Sequence, residues 1–403
     1  MSKEATKDQY HELATAEQQL READHIPQWL KDVLMRGPRP PPVQYWSPPN
    51  DPDKPSLPYL PGFSTKIYRH YSERETSRPV ISTDYLEKLT QSEAVVANPS
   101  NETTVFAENE TAQLTITAPI AVGEARGAQV VSCTITLPEQ NGGAARTFQA
   151  VAKFYDPLYY NFQSSIGNHP EDCAYDADQD YKAEAAAYEH LEKWGERLEG
   201  ATTFAPEYYG SWIFWLPISI NGKPQTRSVR LVLIEHLNGV SLQDLRVQNN
   251  PDKSMGTDAF HYPEEYRLEV LARVLDGYAR QLRTGLSQGD LAGRNVVLVT
   301  NNPQGGTVCG LTIPRIVLID YNRAKFDEVS LEQVAGLPCN PGARFWDLCL
   351  WDTFGGWVPN EWEDMEVQQQ WLLERFEKSE QRRLYHPSSE FFLSRINSVG
   401  QPN

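Results

Sequence analysis

Two apolar runs, Val296-Val297-Leu298-Val299 and Ile316-Val317-Leu318-Ile319, limit what this 403-residue chain can fold into more than any other feature. Runs this short, with no polar face, are too brief for a core helix. Each reads as a strand buried on both sides. The first follows Gln288-Gly289-Asp290-Leu291-Ala292-Gly293-Arg294-Asn295, and the second runs directly into Asp320-Tyr321-Asn322. Loop, strand, turn and strand thus leave two carboxylates and an amide at neighbouring strand ends. Such oxygens are the ligands that a hard cation such as Mg²⁺ takes, together with phosphate oxygens and water.

Bulk properties narrow the partners. A net charge of −17 argues against a nucleic-acid-binding surface. The length allows two lobes with a sizeable core. No run is long and apolar enough to span a membrane, and Met1-Ser2-Lys3-Glu4-Ala5-Thr6 lacks a signal-peptide core. The five cysteines, Cys133, Cys173, Cys309, Cys339 and Cys349, lack metal-ligand spacing and read as reduced thiols. The expectation is a cytoplasmic or nuclear protein, not secreted, with neither nucleic acid nor membrane as a partner.

Along the chain, residues from Ser2 to about Met35 are polar and helix-prone, and ten prolines crowd Arg36 to Phe63. That density forbids helix and central strand. Residues 1–105 read as a Pro-rich, partly ordered N-terminal extension whose aromatics, among them Tyr45, Trp46, Tyr59 and Phe63, are available to pack on the main body. Alternating segments begin near Gln113 and continue through Gln129–Leu137 and Thr147–Tyr155. Lys182 to Trp194 is helical, and Arg230 to Leu237 is a buried-type strand. Glu264 to Leu286 is the clearest helix, with Leu268, Leu271, Leu275, Tyr278 and Leu282 at threes and fours. Trp362 to Arg383 reads as one more helix, with Trp371, Leu372 and Phe376 toward the core. Strands with one helix, followed by a mostly helical part, form an α+β pattern.

The spacing Asp-x-x-x-x-Asn from Asp290 to Asn295, followed by a hydrophobic strand ending in Asp320, resembles the catalytic and metal-binding loops of the protein-kinase-like superfamily. It looks closest to kinase-like proteins of filamentous fungi and to aminoglycoside and choline phosphotransferases. The resemblance covers about Gln113 to Phe376. It implies a bilobal fold, with an N-lobe over 106–237 (antiparallel sheet plus one helix) and a mostly helical C-lobe over 238–403. It also implies ATP and Mg²⁺. Asp290 would orient the attacking hydroxyl. Asn295 and Asp320 would bind metal. Lys153, in Ala150-Val151-Ala152-Lys153-Phe154-Tyr155, would bind the α- and β-phosphates, and Glu184 would pair with it. Gly123 would open the phosphate-covering loop, and backbone groups near Glu235 and Leu237 would meet adenine. Arg294 stands where a guanidinium steadies Asp290 or the transferring phosphoryl group.

The chain also departs from that pattern. Gln288 stands in place of histidine, and Gly289 in place of the arginine that pairs with a phosphorylated activation loop. Ala125 and Ala128 replace two loop glycines. Tyr321-Asn322 replaces Phe-Gly, which implies a less switchable segment. The expected function is phosphoryl transfer to a hydroxyl of a small molecule or a protein. The alternative is a pseudokinase or nucleotide-binding scaffold without turnover, with the Pro-rich extension recruiting a protein partner.

Overall fold

Alternating side chains, one set facing a common interior, build the first part of the molecule. A computed structural model describes residues 46–71, 80–97, 106–138, 145–164, 168–195, 204–249, 256–300, 306–390 and 392–394. The chain divides into two units, Met1–Ser47 and Pro48–Asn403, and the second is the one described below. The helix-prone stretch expected over Ser2 to Met35 lies outside the described residues.

Strands β1 (Ser64–His70), β2 (Phe106–Ala121), β3 (Gln129–Leu137), β4 (Arg146–Tyr155), β5 (Tyr208–Ile220) and β6 (Lys223–Glu235) pair in the order β1-β2-β3-β4-β6-β5. The sheet expected from the sequence closes into a barrel. Residues 64–70, within the stretch read as an extension, supply the closing strand, which meets β5 at Tyr68↔Ile213 and Arg69↔Trp212. Leu114, Ile116, Val131, Cys133, Ile135, Ala150, Ala152, Phe154, Leu231 and Leu233 fill the core. Their period of two along each strand is what a sheet with one face inward requires.

The part of the proline-dense segment within the second unit, residues 48–63, holds neither helix nor strand. It is nevertheless fixed. Tyr59 is fully buried and stacks on Phe154 with centroids 4.5 Å apart. Its hydroxyl donates to Asp156 Oδ2 at 2.7 Å. Asp156, itself fully buried, pairs with Arg227 at 3.0 Å. A buried carboxylate is tolerable only when its charge and lone pairs are met, and the Arg227–Tyr59 pair meets them here.

A helix over Cys173–Gly195 follows β4 and starts earlier than its alanine-rich face suggests. The Glu264–Arg283 helix carries Glu264 and Glu265 in its first turn and Arg280 and Arg283 in its last, which complements its dipole. Around it lie short strands: β7 (Gly239–Ser241), β8 (Leu286–Ser287), β9 (Val296–Val299), β10 (Thr307–Val308), β11 (Leu311–Thr312), β12 (Arg315–Leu318) and β13 (Lys325–Phe326). The two apolar runs become β9 and β12, paired from Arg315↔Val299 to Leu318↔Val296.

The single helix expected from Trp362 to Arg383 is broken. A 3₁₀ turn (Asn360–Glu363), a helix (Met365–Leu372), a π-turn (Leu373–Glu377) and another 3₁₀ turn (Glu380–Leu384) take its place. Asp364 accepts from the Glu366 N–H and Ser379 from the Gln381 N–H, and each side chain starts a new turn. Leu372 and Phe376 are still fully buried. No helix among the described residues is long and apolar enough to cross a membrane.

Candidate active site

Lys153 lies on β4 opposite Val130 of β3 and Val232 of β6. The ladder therefore points these three side chains to one face. The Lys153 ammonium donates to Glu184 Oε2 and to Asp320 Oδ1, the latter at 2.7 Å. Glu184 has no exposed surface. Ala185 and Ala187 beside it are buried as well, and such small side chains let the helix backbone come close to the sheet. Burial works against the charge on Lys153, but the carboxylates of Glu184 and Asp320 outweigh it and hold its pKa above the ordinary lysine value. Burial pushes Glu184 upward against the pull of Lys153. Asp320 is also desolvated, yet Lys153 holds its carboxyl below the usual range. The ammonium and an ionised Asp320 therefore coexist at neutral pH.

The loop before β9 is tied internally. Asn295 Nδ2 donates to the Asp290 carbonyl at 2.8 Å and to Asp290 Oδ2 at 3.1 Å. One Arg294 nitrogen reaches both Asp290 oxygens, at 2.9 and 2.7 Å. The Ile319 N–H donates to the Asn295 carbonyl at 3.0 Å, which joins this loop to the segment carrying Asp320. Gln288, fully buried, donates from its amide to the Ile319 carbonyl. Gly289 has φ +84°, and a Cβ there would sit 2.0 Å from the Arg323 carbonyl oxygen. No larger residue fits that position.

Asp320 itself has φ +65°, a left-handed conformation that Asp adopts more readily than most residues. Its neighbours hold it there. Tyr321 is fully buried; its hydroxyl accepts from Gln281 at 2.7 Å, and its ring meets Tyr188 edge-on at 5.3 Å. Asp180, one helical turn before Glu184, accepts from the Tyr160 hydroxyl at 3.2 Å.

A small, mostly buried apolar cluster forms along β9 and β12. Val297, Val299 and Val317 cluster with Leu237 and Ile319. On the barrel, Val151 shares the face of Lys153 and is paired with Ile234. At the last residue of β6, Glu235 is committed: its N–H donates to the Glu207 carbonyl at 2.8 Å, and its carboxylate takes a two-pronged contact from Arg315 at 2.7 and 3.0 Å. Only backbone groups beyond that N–H are left to meet a base. The Gly123 loop is bound through Gln129, whose side chain accepts from the Gly123 N–H and donates to the Gly123 and Gly127 carbonyls.

The donor set suits Mg²⁺. Asn295 spends its amide nitrogen on Asp290, which leaves its amide oxygen as a ligand, and Asp320 keeps one carboxylate oxygen away from Lys153. Among the described residues no group of three or more His, Cys, Asp or Glu could hold a metal on its own. One carboxylate and one amide fit an ion that draws its other ligands from phosphate and water.

The sequence matches no family model and no curated protein. Among solved structures, it is similar to the PknI kinase domain of Mycobacterium tuberculosis (14% identity, TM-score 0.31, covering 71% of this chain and 96% of that one). It is similar to vaccinia related kinase 3 (12% identity, TM-score 0.32, 81% and 85% covered). A third is WaaP in complex with acyl carrier protein (12% identity, TM-score 0.29, 71% and 90% covered). At such scores these likenesses carry no argument, and the chemistry rests on the residues themselves.

The structure brings Lys153, Glu184 and Asp320 into one ionic cluster, and Asp290, Arg294 and Asn295 into another. Gly123, Glu235 and Leu237 touch neither through a side chain. Sequence reasoning missed the anchoring roles of Gln129, Asp180, Gln281 and Gln288. Gln288 alone carried a signal, as an amide two residues before Asp290. The others show nothing local to mark them.

Proposed function

We propose that the chain is an ATP- and Mg²⁺-dependent phosphotransferase of the protein-kinase-like superfamily. The observation that carries this reading is the Lys153–Glu184–Asp320 cluster, joined to the Asp290–Asn295 loop by the Ile319 N–H bond to Asn295. Phosphoryl transfer asks mainly for positioning and charge stabilisation, and this arrangement offers both. Lys153, fixed at two carboxylates, would hold the α- and β-phosphates. Asp320 and the Asn295 amide oxygen would hold the metal, which when bound supplies charge neutralisation at the phosphates. The apolar groups Leu237, Val297 and Ile319 would support the base.

Asp290 would align the acceptor hydroxyl. The oxygen of that hydroxyl would bond to the γ-phosphorus as the bond from that phosphorus to the bridging oxygen breaks. ADP would leave with the electron pair, and the hydroxyl proton would pass to Asp290 and then to solvent. Titration calorimetry with MgATP tests the reading: the wild type binds, and Asp320→Ala binds at least tenfold more weakly, the magnitude expected for a lost metal ligand. Undetectable binding by the folded wild type would overturn it.

One observation favours a second reading, nucleotide binding without turnover. Both Asp290 oxygens are engaged by Arg294, and one also by Asn295. Binding of MgATP with no product from any hydroxyl acceptor would select that reading.

A further inference from the structure

Residues 51–59 of the proline-dense segment are pinned to the barrel at close intervals. Asp51 Oδ2 accepts from the Ser92 N–H at 2.8 Å, and Asp53 Oδ2 from the Asn221 N–H at 2.8 Å. The Tyr159 hydroxyl reaches the Pro55 and Ser56 carbonyls at 3.2 and 3.1 Å. Tyr59 is tied to Asp156. Pro52, Pro55 and Pro58 stiffen the backbone between these anchors. Lys54 stands among them, so its backbone has little freedom to lose.

The Lys54 side chain leaves the segment and meets the Gly123 loop. Its ammonium donates to Glu124 Oε2 at 2.6 Å and to Gln91 Oε1 at 3.1 Å, and it lies 5.5 Å from the centre of the Tyr159 ring. Gln91 is itself fixed, because its amide donates to the Pro157 and Tyr160 carbonyls at 3.0 and 2.9 Å. The loop runs into β3 one residue before Val130, the partner of Lys153. Ala125, next to Glu124, has φ +52°. An alanine keeps that left-handed conformation only where its surroundings fix it. Lys54 grips Glu124 on one side, and the Arg126 N–H donates to the Tyr159 carbonyl at 3.1 Å on the other. A free carboxylate at position 124 would also repel a triphosphate, and the ammonium neutralises it.

We infer that Lys54 is a positioning residue for nucleotide phosphates: the proline-dense segment acts in cis as a strap, and Lys54, through Glu124, sets the Gly123 loop beside Lys153. The effect on nucleotide rests on the phosphotransfer reading, in which this loop covers the phosphates. The anchoring of the loop does not depend on it. Glu124 is exposed, so the pair is worth only a few-fold in an equilibrium.

Two measurements on the full chain separate the claims. Hydrogen-exchange mass spectrometry without nucleotide tests the anchor. Lys54→Met should speed exchange over residues 123–128 roughly two- to fivefold and leave residues 150–154 of β4 unchanged. Glu124→Gln should also speed it, and the double variant should be no faster than Lys54→Met alone, since both changes remove one pair. Nucleotide binding tests the consequence. Lys54→Met should weaken MgATP by about the same two- to fivefold in calorimetry. Contact with adenosine, which has no phosphates, should stay as in wild type by saturation-transfer NMR. Exchange that neither single variant alters overturns the inference, as do single effects that multiply in the double variant. MgATP and adenosine weakened alike, or MgATP not weakened at all, overturns it too. Exchange that responds as expected in a protein that binds neither compound sinks the phosphotransfer reading and leaves Lys54 an anchor of the loop.

Discussion

Arg294 holds Asp290 through both carboxylate oxygens from a single guanidinium nitrogen, at 2.9 and 2.7 Å. The two residues lie four apart on a short turn, and Asn295 donates to the same carboxylate at 3.1 Å. Removing the guanidinium frees the carboxylate to rotate while the contacts of Lys153 with Glu184 and Asp320 stay in place. Arg294→Ala should therefore lower kcat about ten- to a hundredfold, as misplacement of a reacting group does, and leave MgATP affinity unchanged by calorimetry. Equal loss of both would place Arg294 in nucleotide binding instead.

Gly289 supports that turn from behind. Its φ of +84° is strained for any L side chain, and an added Cβ meets the Arg323 carbonyl at 2.0 Å. Gly289→Ala should cost about 2 kcal/mol or more of unfolding free energy, read as a lower urea midpoint. A midpoint within error of wild type would mean that the loop relaxes away from Arg323.

Tyr321 bears on the segment that carries Asp320. Tyr321→Phe keeps the ring against Tyr188 but leaves the buried Gln281 amide without its partner. The expected cost is about 1–3 kcal/mol, with faster amide exchange at Asp320 and Tyr321. Tyr321→Phe together with Gln281→Leu should recover much of the loss. No recovery in the double variant would show that the hydrogen bond is not the source.

His70 makes stability acid-sensitive. Buried beside Arg230 and bonded to the Tyr181 hydroxyl, it is lowered from 6.5 to about 4 by burial first and by Arg230 second. Between those values the unfolded chain binds a proton that the folded chain refuses, so stability falls as pH drops from 6.5 toward 4. By pH 5 this group alone should have removed about 2 kcal/mol. Urea titrations of wild type and His70→Asn at pH 7 and pH 5 measure it: the advantage of the wild type should shrink by that amount. A constant difference would locate the acid sensitivity elsewhere.

Much of this arrangement was legible beforehand because it is local. The helix from Glu264 shows its apolar stripe within one window, and β9 and β12 are apolar runs bounded by polar loops. Lys153, Glu184, Asp290, Asn295 and Asp320 could be named because short motifs surround them. What escaped notice depends on distant partners. β1 closes the barrel only through β5, and Tyr68 and Ile213 are far apart in the sequence. β5 itself contains Pro217, which demotes a run to an edge or a break when neighbours are unknown. The broken helix after Trp362 failed for another reason. Its apolar spacing is helical, but Asp364 and Ser379 each offer the backbone a rival partner, a competition that apolar periodicity does not record. Gln129 and Gln281 show why anchors hide: an amide side chain looks the same in solvent as it does bonded to a loop.

A ring of strands is also a mechanical object. An open sheet can lose an outer strand at little expense and offers that edge to any passing chain. Here the lysine strand β4 is laced on both sides, to β3 and to β6, and cannot fray alone. The hoop has one weak stitch, the two residue pairs between β1 and β5. Under load or mild denaturant it should unbutton there, so His70 and Arg69 would lose order long before Lys153 leaves its carboxylates.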